Sequence, residues 1–204
     1  MSAVIKADVL SAPKPLSHAV PFAGNGRSVD ESDSLYEIID GRRLEKTISV
    51  LATEWTSKIH YFLCRYVLEA RAGRATVESL FSLPGLNRER RPDVAYVSYS
   101  NWPADRPLPR SAAWPIAPDL AIEVVSPRNY SDDVVGKVSD YFASGAKQVW
   151  VVWPREPRLY LYADPDHIRS FNLNDTIDGG DLLPGFRLSM RELFDAVGTE
   201  EPAS

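Results

Sequence analysis

The sequence predicts an α/β protein, a mixed sheet flanked by helices, and three observations predict it. Residues Thr47 to Ala70 carry apolar side chains every three or four positions, the period of one helix face. The runs DLAIEVVS and QVWVVWP have the length and β-branched content of buried strands. Between those runs, Ser131 to Ser144 form a second amphipathic stretch. Strands and helices mixed along the chain in this way bury their apolar faces against one another in layers.

The elements follow in order. Residues 1–32 are rich in Ser, Pro, Gly and Ala without a period and are expected to form a flexible tail; residues 33–197 form the domain and 198–204 a C-terminal tail. LYEIIDGRRLEK reads as two short strands around Asp40-Gly41, a dipeptide suited to the positive φ angles of a tight hairpin. In the long helix, Ile48, Leu51, Trp55, Ile59, Phe62, Leu63, Tyr66 and Val67 make the buried stripe, and Gly73 marks the end. ATVESLFSL, DVAYVS and DLAIEVVS read as three strands, the last central. The Pro- and Trp-rich SNWPADRPLPRSAAWPIAP between the second and third is either a functional flap or a rigid cover packed on one edge. In the second helix Ser131 can cap, Asp132 and Asp133 complement the dipole, Val134, Val138, Tyr141 and Phe142 face inward, and Gly145 terminates. QVWVVWP, RLYLYAD and HIRSFNL then read as strands, and LLPGFRLSMRELFDAV as a turn and a short helix.

Composition narrows the function classes. A chain of 204 residues, 44% hydrophobic and 25% charged, has material for one core. Its net charge of −5 gives no overall basic footprint, so nucleic-acid contact would come from a local patch. The single cysteine, Cys64, excludes an internal disulfide and a multi-cysteine zinc site, and its apolar neighbours make it a core residue. His18, His60 and His167 lack the spacing of a zinc site or a triad, and no glycine-rich phosphate loop is present. No apolar run approaches the ~18 residues of a membrane span, so a soluble, cytoplasmic protein is expected.

Carboxylates inside strands are the informative signal, because a buried charge is costly unless paired or bound to a metal. Alternation puts Leu120, Ile122 and Val124 on one face of their strand and Asp119, Ala121, Glu123 and Val125 on the other. Asp93 opens DVAYVS, and if the two strands are neighbours it approaches Glu123. Two converging carboxylates suit Mg²⁺ or Mn²⁺. Equally, Glu123 could pair with a nearby arginine while Asp93 shapes the turn after Pro92. Lys137, beside Val134 and Tyr141 on the helical wheel, could reach across the sheet or snorkel over apolar surface. Arg88, Arg90 and Arg91 form a cationic cluster that could meet phosphates or be a solvated face.

LYEIIDGRRLEK, ERRPDVAYVS, PDLAIEVVSPRN and KVSDYFASGAKQVWVVWP, followed by LLPGFRLSMRELF, resemble in order the signatures of the Uma-type restriction endonucleases of bacteria, within the PD-(D/E)XK nuclease superfamily. The resemblance covers Leu35 to Phe194. It implies a restriction-endonuclease-like αβββαβ core, with an N-terminal hairpin and additional C-terminal strands. It also implies an Mg²⁺- or Mn²⁺-dependent endodeoxyribonuclease, with Asp93 and Glu123 as metal ligands. Val125 stands where the superfamily usually has lysine; the superfamily is known to move that lysine to the following helix, where Lys137 takes the matching place. Glu45 resembles an additional acidic residue of the first motif, and Thr53 or Trp55 falls near a histidine that many relatives carry. The implied partner is nucleic acid, DNA, and a homodimer would suit cutting a duplex. Val125 and the acidic charge motivate the other expectation, a non-catalytic module that binds nucleic acid or protein.

Overall fold

The computed structural model describes residues 34–126 and 131–194, and of Ser131 and Asp132 the backbone alone. The tails expected at 1–32 and 198–204, and the capping expected of Ser131 and Asp132, lie outside the described residues. Strands β1 (Tyr36–Ile39) and β2 (Arg42–Glu45) pair as the predicted hairpin, turning at Asp40 (φ 50°) and Gly41 (φ 76°). Helix α1 (Val50–Ala70) starts later than its periodicity suggests, because Ser49 takes an extended backbone and its side chain accepts from the Ala52 amide. Ile48 therefore precedes the helix, and Ile48 and Leu51, expected in the buried stripe, are exposed. The helix ends on Arg71 in the left-handed region (φ 49°) rather than on Gly73.

Gly73 instead opens β3 (Gly73–Val77), followed by β4 (Leu80–Ser82), β5 (Arg88–Arg90) and β6 (Val94–Ser98). The single strand expected for ATVESLFSL is thus two strands in two sheets. Glu78 breaks it: at φ 48° the chain cannot continue the ladder, although the Glu78 amide still donates to the Asp93 carbonyl at 3.2 Å. β7 (Ala113–Trp114), β8 (Leu120–Val124), α2 (Ser131–Ala143), β9 (Gln148–Trp153), β10 (Arg158–Tyr162) and β11 (Ile168–Phe171) follow. The chain then forms β12 (Thr176–Asp178), β13 (Arg187–Ser189) and α3 (Met190–Phe194), so the expected C-terminal turn leads into a strand that pairs antiparallel with β12 before the short helix.

The principal sheet has the order β11-β10-β9-β8-β6-β3, with β8 and β9 parallel and the other neighbours antiparallel. Period-two alternation splits its residues between two cores. Leu120, Ile122 and Val124 pack with Trp55, Ile59 and Leu63 of α1, while Ala121, Val149 and Val151 pack with Val134, Val138 and Tyr141 of α2. The succession α1, β3, β6, β8, α2, β9 is the expected αβββαβ core. A second sheet, β2-β1-β5-β4-β7, contains β5, which carries Arg88 and Arg90. No helix among the described residues is long and apolar enough to cross a membrane.

The Pro- and Trp-rich segment before β8 is anchored by two packed indoles, while residues 103–108 and 110–112 between them are exposed. Trp114 stacks on Phe81 (centroids 5.8 Å) and meets Trp102 edge-on (5.4 Å), and both indoles are buried. Arg74 ties the segment down by donating to the carbonyls of Trp102 and Ala104, each at 2.9 Å. At the sheet's edge, a Cβ on Gly73 would lie 2.4 Å from the Val97 carbonyl oxygen and 2.6 Å from Tyr96 Cε2. Gly73→Ala is therefore expected to cost about 1–3 kcal/mol of stability, as overpacking does. Urea denaturation reads it; an unchanged midpoint would mean that β3 shifts away freely.

Candidate active site

The site is built where β6 and β8 run side by side. Val94 pairs with Ile122 and Ala95 with Ala121, so one step further along the ladder Asp93 falls opposite Glu123, on the face turned to α2. Both carboxylates are buried, at 5% and 2% exposure. Asp93 Oδ2 accepts from the Val124 amide at 2.5 Å, which fixes it to the strand that carries Glu123. From α2, Lys137 and Tyr141 project one turn apart on the same face. Lys137 Nζ donates to Glu123 Oε2 at 3.1 Å, and Tyr141 Oη donates to Glu123 Oε1 at 2.7 Å.

Lys137 is shared. Its Nζ also lies 3.3 Å from Oε1 of Glu37 on β1. Glu37 in turn accepts from Arg90 Nη1 at 2.9 Å and the Arg91 amide at 3.0 Å. Arg90 holds Asp140 of α2 at 2.7 Å, and Arg88 reaches both Asp140 (2.6 Å) and Asp40 (3.2 Å). Arg91 donates to the carbonyls of Tyr36 and Glu78. The three arginines considered for phosphate contacts are therefore each engaged inside the molecule, lacing hairpin, β5 and α2 together.

Glu45 stands exposed at the end of β2, accepting from Ser34 Oγ at 3.0 Å, and lines the rim of the cleft beside the pair. The next residue enters the site instead. Lys46 Nζ donates to Asp93 Oδ1 (2.8 Å), Glu78 Oε2 (2.7 Å) and the Arg91 carbonyl (2.9 Å). Thr53 is exposed and bonds back to the Ser49 carbonyl, while Trp55 is core, 4.6 Å from the Phe194 ring. Sequence reasoning missed Lys46, Glu37 and Glu78, and saw Tyr141 only as packing. Glu37 and Glu78 carry the signal that marked Glu123, a carboxylate inside a strand-like run. Lys46 has no such local mark.

Burial and neighbouring charge set the protonation states. Burial pushes the Glu123 carboxyl up; Lys137 opposes this and Asp93 adds to it. Burial alone would lower both lysines, but Glu123 and Glu37 hold Lys137 above its ordinary value, and Asp93, Glu123 and Glu78 do the same for Lys46. Burial likewise favours the neutral Tyr141 phenol, and the adjacent Glu123 reinforces it. Glu37 remains below its usual value, because Lys137, the Arg91 amide and Arg90 outweigh its burial.

Glu78 is pushed from 4.5 to about 7, by burial first and by Asp93 in addition, against the pull of Lys46. A carboxyl raised in the folded state binds its proton more tightly there than in the unfolded chain. Its contribution to stability therefore falls as pH rises from 4.5 to about 7. Melting curves across that window are expected to flatten in Glu78→Gln; an unchanged slope would assign the pH dependence elsewhere.

A cleft of about 740 Å³ opens beside the pair, walled by the segment from Leu44 to Ala52, the end of β8 and α2. Its donor chemistry can be tested against a divalent ion. Among the described residues no group of three or more His, Cys, Asp or Glu is arranged to share a metal, so there is no all-protein cage. Two carboxylates at the end of an open cleft do fit Mg²⁺ or Mn²⁺, since Mg²⁺ usually takes one or two carboxylates and completes its shell from water and phosphate.

A mixed β9-β8-β6-β3 core between two helices, with an acidic pair on adjacent strands, defines a restriction-endonuclease-like fold. The chain belongs to the Uma2 family, described as "putative restriction endonuclease", whose profile matches residues 24–191. It is similar to the crystal structure of "a putative nuclease belonging to DUF820" from Anabaena variabilis ATCC 29413, with a TM-score of 0.68 and 20% identity over 78% of this chain and 89% of that one. At that identity the likeness is one of fold. No curated protein sequence matches the chain significantly.

Proposed function

We propose that this protein is a metal-dependent endonuclease that hydrolyses phosphodiester bonds of DNA through Asp93, Glu123 and Lys137. The observation that carries the reading is the convergence of those three side chains at one end of the β6–β8 ladder, beside a cleft. Asp93 and Glu123 would hold Mg²⁺ or Mn²⁺; when bound, the ion supplies Lewis-acid charge that neutralises the scissile phosphate and acidifies the attacking water.

The protein's own groups then have defined tasks. Lys137 is an ammonium, so it acts as a cation and donor, not as a base. Among the described residues Glu123 and Glu37 engage two directions of its charge, and a lysine carries three donors, so a third could meet a phosphate oxygen. Tyr141 keeps its proton and holds Glu123 in orientation. Among the described residues, the cleft wall carries five carboxylates (Glu37, Glu45, Asp93, Glu123, Asp133) against three cations (Lys46, Arg90, Lys137). A phosphate approaching that wall is repelled unless positive charge is added, which supports dependence on a divalent ion. Purified protein is expected to nick plasmid DNA with Mg²⁺ or Mn²⁺ and not with chelator, and Glu123→Gln to be inactive.

A second reading has an observation of its own. Every oxygen of Asp93 and Glu123 already accepts from a protein donor, and Val125 supplies no charge, as in a module that keeps the fold without turnover. DNA binding without cleavage, and without heat on titration of Mg²⁺ or Mn²⁺, would favour it.

A further inference from the structure

Lys46 is a cation at the centre that the proposed reaction leaves without a task. It lies on the short irregular segment between β2 and α1, outside any helix or strand, and its side chain is 12% exposed. Its ammonium is held by three oxygens, Asp93 Oδ1, Glu78 Oε2 and the Arg91 carbonyl, all within 2.9 Å. Two of these are carboxylate oxygens and one is a backbone carbonyl, the hard donors that a small cation selects. The ammonium thus sits on the carboxylate oxygen that a divalent ion at Asp93 would need.

Both cations cannot hold the same Asp93 oxygen, and the other oxygen is taken by the Val124 amide. An ion on Asp93 would sit within a few ångströms of the Lys46 ammonium, where like charges repel strongly outside bulk water. The lysine has somewhere to go: its own segment forms a wall of the cleft, and its flexible four-carbon stem can carry the ammonium into that space. Resting on the metal-dependent reading above, we propose that Lys46 is a tethered counter-cation which occupies Asp93 while no divalent ion is bound and must leave it when one binds. The site is then internally neutralised in the absence of metal, and its affinity for metal is set by competition with the protein's own side chain.

The test is calorimetric titration of the full-length protein with Mn²⁺ in the absence of nucleic acid. Lys46→Met is expected to bind roughly tenfold more tightly or better, the scale on which a displaced buried ion pair is felt. Lys46→Gln, which keeps length and polarity without charge, is expected to move in the same direction and serves if the methionine variant does not fold. In chelator both variants are expected to melt below the wild type, and Mn²⁺ to recover more of their melting temperature than it adds to the wild type.

The outcomes separate the two readings. Mn²⁺ binding that is measurable in the wild type and roughly tenfold tighter or better in both variants supports the proposal. Wild-type binding abolished by Asp93→Asn, with no tightening in either Lys46 variant, overturns the competition and leaves the metal-dependent reading standing. No binding by the wild type or by either Lys46 variant overturns both.

Discussion

Lys137→Met is expected to lower the free energy of unfolding by about 3–5 kcal/mol, the usual cost of breaking a buried ion pair from one side. The cause is the change left behind, since Lys137 lies between Glu123 and Glu37 at 3.1 and 3.3 Å, and all three are buried. Methionine matches the stem in length but leaves two carboxylates facing each other without their shared cation. Adding Glu123→Gln to the same chain should restore a large part of the loss, because the remaining Glu37 keeps Arg90 and the Arg91 amide. Denaturant titration of the wild type, both single variants and the double variant closes the cycle. A loss below about 1 kcal/mol in Lys137→Met, the range of an exposed pair, would sink the claim that this ammonium holds the site together.

Glu123→Gln is expected to separate chemistry from folding. Cleavage should fall on the order of 10³-fold or more, the scale of losing a group that acts on charge developing at the reacting atoms. Stability should hold within about 1 kcal/mol, for two opposed reasons. The amide presents an NH₂ to one of the two donors, Tyr141 and Lys137, that the carboxylate satisfies. Against this, burial raises the Glu123 carboxyl, so its ionisation subtracts stability as pH rises from 4.5 through its folded value, and glutamine removes that subtraction. Activity and unfolding measured on one preparation decide the matter. Retained cleavage would dismiss Glu123 from the reaction, and collapse of both would make it a structural residue.

The contrast between Glu123 and Lys46 shows what could be read from the chain. Glu123 was legible because a strand has a period of two: once Leu120, Ile122 and Val124 are assigned to one core, the carboxylate has to face the other way. Lys137 was legible as a neighbour of Tyr141 on a helix wheel, though its burial depends on Glu37 arriving from a distant hairpin. Lys46 meets Glu78 and Asp93 across 32 and 47 positions of sequence, through a segment with no period of its own, so no local pattern announces it. The break at Glu78 was hidden likewise, since residues on both sides of it favour strand and only the left-handed backbone divides them between sheets. The arginines of β5 looked like a surface cluster until carboxylates from β1 and α2 closed over them.

Those arginines belong to an alternating row, Asp40, Arg88, Asp140, Arg90, Glu37, Lys137 and Glu123, in which each charge touches one of opposite sign. Such a row constrains how the gene can drift. A lone reversal at an interior position sets that residue against two like charges, so a tolerated reversal is expected to come with a compensating change at its partners. Drift between hairpin, strand and helix is then expected to be coupled, and a lineage that loses Arg90 is expected to have altered Glu37 or Asp140 as well.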